Sequence, residues 1–310
     1  MLAGAPASGK TALSLTLADE LRARGVAAEI VSADSRQVYR GMDIGTAKAT
    51  PEERARFPHH GLDLVDPDQK FSVAEYAGHA RDALAGIAER GAVALLAGGT
   101  GFYLRSVARG LAVDDLPWDP EVRAAVEARL VAEGLPALVG ELRELAPTRA
   151  AAVDLHNPRR VVRAVEIARL RGDAPLPEPR GYGRPVLWLG LAVEPPVLRE
   201  RIRARAQGQF DAGLVDETRA LAARYDASLP SFSGIGYAES LAVIGGRLPL
   251  EEAIARDAQR NVLLARHQAT WFRREPDIHW LDATRELPIS PAVAAVAEYL
   301  AGVPEEGGVN

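Results

Sequence analysis

The chain has 310 residues, 47% of them hydrophobic and 25% charged, with no Cys and a formal net charge of −5. That length holds one large or two modest domains with a sizeable core, and the composition is that of a soluble globular protein, not a disordered or membrane-spanning one. The lack of Cys excludes disulfides, thiolate catalysis and cysteine zinc sites and fits the cytoplasm, while the acidic balance taken alone argues against nucleic acid as a partner.

No signal peptide is visible, and the chain opens almost inside its first motif, so no leader is expected, with a short first strand and a truncated start as the two readings of that opening. Residues 4–11 form a Gly-containing loop, led into by only three residues. An amphipathic helix follows from Thr11 to Arg24, with Leu13, Leu17 and Leu21 four apart and Gly25 as its stop. Glu29 to Ala33 reads as a short strand ending at Asp34. A helix is expected from about Ser72 to Arg90. Ala92 to Ala97 is a continuous apolar run, short enough for a buried parallel strand, and it ends in Gly98-Gly-Thr-Gly101. Pro185 to Val193 is another buried strand, followed by an Arg-rich helix from Pro195 to Gln209. Asp277 to Leu281 is a last strand before a C-terminal helix, and the stretch from Gly302 onward reads as disordered. The alternation predicts an α/β fold, a P-loop NTPase-like parallel sheet with helices on both faces. The stretch 114–184 breaks that rhythm: it is helical by pattern and framed by Pro117 and a Pro175/Pro177/Pro179 cluster. The expected division is a core of 1–112 and 185–310 and an inserted helical domain of 113–184.

Gly4-Ala5-Pro6-Ala7-Ser8-Gly9-Lys10-Thr11 matches G-x-x-x-x-G-K-[ST]. Such a loop turns backbone N–H groups toward an anion at a helix N-terminus. Its Lys reaches the terminal phosphate and its hydroxyl ligates Mg²⁺. Lys10 gains weight because the 37 basic residues include only three lysines, Lys10, Lys48 and Lys70. The motif says phosphate and leaves the reaction open. Asp34 falls where strand ends face the ligand crevice: it is either a helix cap or a group that acts as a general base or holds a metal-bound water. The strand ending at Gly98 carries no acid at its tip, which weakens an ATPase reading; Gly98 to Gly101 is at the least a tight strand-to-helix turn. Arg201 and Arg205 share a helical face and are either a diphosphate clamp or a solvated basic surface. Arg159, Arg160 and Arg163 make a second basic face, with a surface helix and a phosphate-backbone contact as its two readings. His59 and His60 lack partners at metal spacing and read as structural.

Taken together these segments resemble the tRNA dimethylallyltransferase (tRNA isopentenyltransferase) family. The matches are the loop 4–11, the diagnostic stretch from Ser32 to Lys48, Pro58-His-His60 with Asp66-Pro67, and Gly98 to Tyr103. Further along come Asn157 to Arg163, a helix from Arg201 to Glu217, Ser233 to Ala238, and Gln268 to Arg273. The family has Pro directly after the first loop Gly; here Ala5 stands there and Pro6 follows, a one-residue shift of a rigid residue.

The resemblance implies transfer of a dimethylallyl group from dimethylallyl diphosphate to N6 of the adenosine just 3′ of the anticodon. The P-loop would hold the diphosphate with Mg²⁺ at Thr11. Asp34 would be the general base, Thr100 would hold reacting groups and Arg205 would stabilise the departing diphosphate. Asp34, Ser35, Arg36, Gln37, Thr100, Arg123, Arg159, Arg160, Val161, Val162, Arg163, Ser233, Gly234, Ile235, Gly236, Tyr237 and Ala238 would contact the tRNA anticodon stem-loop. No membrane partner and nothing beyond a monomer is expected. A free-nucleotide (adenylate) isopentenyltransferase, an ATP-dependent small-molecule kinase and a non-catalytic RNA-binding module are the competing readings. None of the three needs both Asp34 and the two tRNA-facing segments.

Overall fold

Among the described residues six strands form one parallel sheet in the order β3-β2-β4-β1-β5-β6. The computed structural model describes residues 1–111, 116–176, 178–179 and 181–302. The expected boundary at 113, Pro177, and the tail after Gly302 lie outside these residues. Contacts divide the chain into two units, Met1–Gly110 with Gly181–Asn310 and, separately, Leu111–Arg180. The sequence reading set the changes at 113 and 184.

In chain order the first unit contains β1 (Leu2–Gly4), α1 (Lys10–Ala23), β2 (Ala28–Ser32), α2 (Pro51–Arg56), β3 (His59–His60), α3 (Val73–Glu89), β4 (Val93–Gly98) and α4 (Gly101–Ala108). The second holds α5 (Pro120–Glu133), α6 (Leu135–Leu145), α7 (Pro147–Ala152) and α8 (Pro158–Arg171). The first resumes with β5 (Trp188–Ala192), α9 (Pro195–Asp211), α10 (Leu214–Ala222), α11 (Tyr237–Ile244), α12 (Leu250–Phe272), β6 (Ile278–Asp282) and α13 (Ile289–Gly302). Among the described residues no helix is long and apolar enough to cross a membrane.

The sheet carries helices on both faces, which is why β4 and β5 read as short apolar runs. Side chains alternate across it. Ile30, Leu95, Leu189 and Leu191 join Leu13, Leu17 and Leu21 of α1 and Ala292 and Val296 of α13 on one face. Val31, Leu96 and Trp188 join Tyr76, Leu84 and Ile87 of α3, Leu104 of α4 and Phe272 of α12 on the other. A capping box of Ser72 and Glu75 starts α3. His60 is structural, its Nε2 lying 2.6 Å from the buried Glu29 carboxylate that also takes Arg90. Arg90 holds the Glu29 carboxyl below its usual range.

The helical unit has its own core. Val126 of α5, Leu138 and Leu142 of α6, Ala150 of α7 and Val161, Val162 and Val165 of α8 pack together. Asn157 caps α8 by accepting from the Arg159 and Arg160 amides, with Pro158 at the first helical position. The chain leaves and rejoins the first unit at adjacent points, where the Tyr182 amide donates to Val107 O at 2.8 Å.

One expected helix is two. The segment from Arg201 to Glu217 breaks between α9 and α10 at Gly213, whose φ of 98° lies in the left-handed region.

Candidate active site

Register places three candidate groups at one height. Ser32 pairs with Ala97, and Ala97 with Leu2, so the chain passes out of β2, β4 and β1 side by side at their carboxyl ends. In a doubly wound sheet the crevice lies outside these ends, where successive connections leave in opposite directions. Here β1 connects toward β2 on one side, and its other neighbour is β5. The P-loop, Asp34 and Gly98–Thr100 therefore share one cavity, with a volume of about 390 Å³.

The loop after β1 turns through Ala7 and Gly9, both with positive φ (58° and 99°). A Cβ on Gly9 would also meet Leu287 at 2.6 Å. Gly9 caps α1 with no side-chain bond, which leaves the first-turn amides for an anion. Lys10 Nζ donates to Gly4 O at 2.9 Å and Ala5 O at 2.7 Å. Burial first, and then the Arg205 charge, lower the Lys10 pKa to about 8, partly offset by Asp34. Burial likewise lowers that of Arg205, against the raising effect of Asp34 and Asp257. Two crowded, desolvated cations are a receptor for an anion, whose arrival relieves both. The one-residue displacement of Pro6 leaves Pro6, Lys10 and Thr11 lining the cavity together.

Asp34 accepts from the Arg36 amide at 2.8 Å through Oδ1, an Asx turn. No hydrogen bond among the described residues takes up Oδ2. Across from it, Thr100 Oγ1 accepts from the Ser35 amide at 3.1 Å and so does not cap α4. The strand-to-strand approach here is close: a Cβ on Gly98 would stand 2.1 Å from Ala33 O. Gln37 is held from both ends. Its Oε1 accepts from Ser32 Oγ (2.7 Å), and its Nε2 donates to Thr46 O and Ala47 O (3.1 and 3.2 Å). The segment beyond is fastened by Lys48, whose buried Nζ donates to Tyr39 O (2.7 Å), Asp43 Oδ1 (2.6 Å) and Asp63 Oδ1 (2.7 Å).

Of the expected residues, Pro6, Lys10, Thr11, Asp34, Ser35, Arg36, Gln37, Thr100, Arg205, Ser233, Gly234, Ile235 and Tyr237 line the cavity. Gly4, Ala5 and Ser8 face a second, smaller cleft beside β5. One open reading is closed and two expectations are corrected. Arg201 is not part of a clamp with Arg205, because its guanidinium donates to Ala283 O and Thr284 O, both at 2.8 Å. Val161 and Val162 are 0% and 2% exposed in the helical core, so their side chains cannot reach a tRNA; Arg159 and Arg160 beside them are exposed. Tyr237 is 1% exposed and donates to Glu217 Oε1 at 2.7 Å, which makes it a wall, with the buried Gly236 next to it. Arg123 and Arg163 both pair with the fully buried Glu166, at 3.2 and 2.7 Å.

Helix α12 supplies groups that the sequence reading assigned no role: Arg260, Asn261, Leu264 and Gln268 all line the cavity. Gln268 Oε1 is buried without a partner among the described residues. Arg260 anchors the loop before α11, donating to Glu239 Oε1 (2.6 Å) and Ser233 O (2.9 Å).

A family model described as IPP transferase matches residues 37–275. The chain belongs to the IPP transferase family. It is 45% identical over 288 residues to a tRNA dimethylallyltransferase of Roseiflexus sp., covering 91% of this chain and 92% of that one. It is 44% identical to one of Thermus thermophilus, over 89% of each chain. Among solved structures, a full-length tRNA isopentenylpyrophosphate transferase of Bacillus halodurans superposes with a TM-score of 0.69 at 36% identity, covering 97% of this chain and 94% of that one. A eukaryotic dimethylallyltransferase acting on tRNA reaches a TM-score of 0.77 at 22% identity, over 99% of this chain and 80% of that one, and shares the fold. The span matched by the IPP transferase model starts after the P-loop and Asp34.

Proposed function

We propose that this chain transfers a dimethylallyl group from dimethylallyl diphosphate to N6 of the adenosine just 3′ of the anticodon in tRNA. The observation that carries this reading is the single cavity holding a cationic anion receptor, Lys10 with Arg205, and a carboxylate, Asp34. Membership of the IPP transferase family supports it. The N6 amine attacks C1 of the dimethylallyl group and forms the C–N bond. The C–O bond breaks and its electron pair leaves with the diphosphate. Asp34 takes the proton from N6, a contribution of about 10²–10⁴-fold. Lys10, Arg205 and the free amides of α1 meet the leaving oxygens, where one well-aimed donor contributes about 3–4 kcal/mol.

Thr11 offers a hydroxyl to the same cavity, an oxygen donor that suits Mg²⁺ shared with a diphosphate. There the ion would neutralise charge on the leaving group. Arg159 and Arg160 present the exposed charge for the RNA backbone, so an acidic protein can bind RNA through one basic face. A base in a single-stranded loop leaves its stack for a few kcal/mol. We take the protein to act as a cytoplasmic monomer.

The test is a transfer assay with labelled dimethylallyl diphosphate, Mg²⁺ and either unmodified tRNA or AMP, with ATP hydrolysis followed in parallel. Label in tRNA alone is expected. Label in AMP, or ATP turnover without transfer, would replace this reading by one of the competing ones. Asp34→Asn is expected to lower kcat by about 10²-fold or more while tRNA binding stays within a factor of two or so; loss of tRNA binding in that variant removes Asp34 as the base.

A further inference from the structure

Asp257 sits in the middle of α12, 1% exposed, and is not among the residues lining the cavity. A buried carboxylate is costly to keep ionised, so its place needs a reason. Oδ1 accepts a 2.8 Å hydrogen bond from Asn261 Nδ2 one turn along, and Asn261 lines the cavity. Oδ2 stands over Gly236, where an added Cβ would come within 3.1 Å of it. Helix α9, which carries Arg205, packs on α12 here, with Ile202 and Ala206 in one buried cluster with Ala258 and Ala265, and Arg205 and Asn261 line the same cavity. The charges that act on Asp257 are those of Glu239 from α11, Arg205 from α9 and Arg260 from α12 itself. Glu239 and Arg260 are already paired with each other, and Glu239 Oε2 also takes the Gly236 amide at 2.8 Å. Arg205, by contrast, has no ion pair within 4 Å among the described residues. The carboxylates that act on it are Asp34, inside the cavity, and Asp257.

We infer that Asp257 is a positioning residue for the transfer reaction: its buried carboxylate is the counter-charge that keeps the Arg205 guanidinium at the diphosphate end of the cavity, and it fixes Asn261 there. This rests on the reading of Arg205 as a diphosphate-binding group. A carboxylate present only to brace α12 would, on removal of its charge, lose stability and activity together. Removing the charge of a costly acid kept for its field instead gains stability and loses activity. Burial raises the Asp257 pKa from 3.8 to about 6. The folded state then holds that proton more tightly than the unfolded chain, so the ionised form opposes folding, increasingly from pH 4 to pH 6 and fully above.

Asp257→Asn keeps the shape and an acceptor for Asn261 but removes the charge. Its Tm at pH 7.5 is expected to rise by about 2–4 °C, and this gain is expected to close by about pH 4. Its kcat for tRNA prenylation is expected to fall about ten-fold, the usual scale for losing a group that orients a functional one, with the KM for tRNA unchanged. Both are measured on the full chain, by calorimetry and by labelled transfer, beside Arg205→Gln. A more stable and slower Asp257→Asn enzyme supports the inference. Wild-type kcat in that variant overturns it, and so does a lower Tm at pH 7.5 or failure to fold. Arg205→Gln with wild-type activity would remove Arg205 from the diphosphate site, and the inference with it. A disabled Arg205→Gln beside an unaltered Asp257→Asn sinks the inference alone.

Discussion

Lys10 shows how a residue's surroundings set its working range. With its pKa lowered to about 8, it is charged at neutral pH and loses that charge within reach of ordinary assay buffers. The KM for dimethylallyl diphosphate is therefore expected to rise above pH 8, by up to about ten-fold per pH unit for one required proton. The KM for tRNA should stay level, and the donor profile should flatten in Lys10→Met. A level donor KM in the parent protein would show that Lys10 does not meet the diphosphate. Stability moves the other way. Below pH 8 the protonated Lys10 opposes folding, and that opposition is lifted between pH 8 and 10.5. The scarcity of lysine made Lys10 conspicuous in the sequence, and Lys48 has an equally physical reason. Three oxygens surround its Nζ, which suits a compact ammonium and not a planar guanidinium. Lys70 is exposed, and nothing in the structure explains it.

Helix α8 divides its work by face. Arg159 and Arg160 point to solvent, and Val161 and Val162 point into the core. Arg160→Ala is expected to weaken tRNA binding and lower the slope of log K against log salt by about one, with Tm unchanged. Val161→Ala should instead cost about 1–3 kcal/mol of stability and leave the salt slope alone. An unchanged slope for Arg160→Ala removes it from the phosphate contacts. The strands and amphipathic helices that could be read in the sequence were those with a strong period. β4 is an unbroken apolar run and β2 a short buried strand around Ile30 and Val31, while α1 carries leucines at four-residue spacing and α3 opens on a capping box. Helix α12 went unread because its buried positions are Ala253, Asp257, Ala258, Ala265 and Phe272, mostly small or charged, so its apolar stripe is faint. Its cavity residues went unassigned with it. In the same way, a motif quoted as a run of adjacent residues cannot separate Arg160 from Val161. Only the 3.6-residue turn, seen with its packing partners, does that.

At the scale of the whole molecule, the parallel sheet does the assembling. Asp34, Thr100 and Lys10 are far apart in sequence and meet because β2, β4 and β1 are neighbours in register. Each unit has its own buried core, and the ends of the first unit meet at the hydrogen bond between Val107 and Tyr182. Replacing Leu111–Arg180 by a short Gly/Ser linker is therefore expected to leave a cooperatively melting α/β protein, because closing so short a gap costs little chain entropy. That protein should still bind diphosphate, while transfer to tRNA falls by about 10²-fold or more, the scale on which misplacing a bound reactant slows a reaction. Loss of the melting transition would show that the two cores are not independent.

The same topology shapes how the protein is made. β1 lies between β4 and β5, and Leu2 pairs with Ala97 on one side and Leu189 on the other. During translation the first partner emerges early. The second follows only after the ribosome has produced the whole helical unit, many seconds of synthesis at about 5–20 residues per second. Through that interval the nascent sheet carries an unpaired central strand, the kind of edge that other chains can capture. The helical unit, whose contacts are local, has time to fold before the sheet closes.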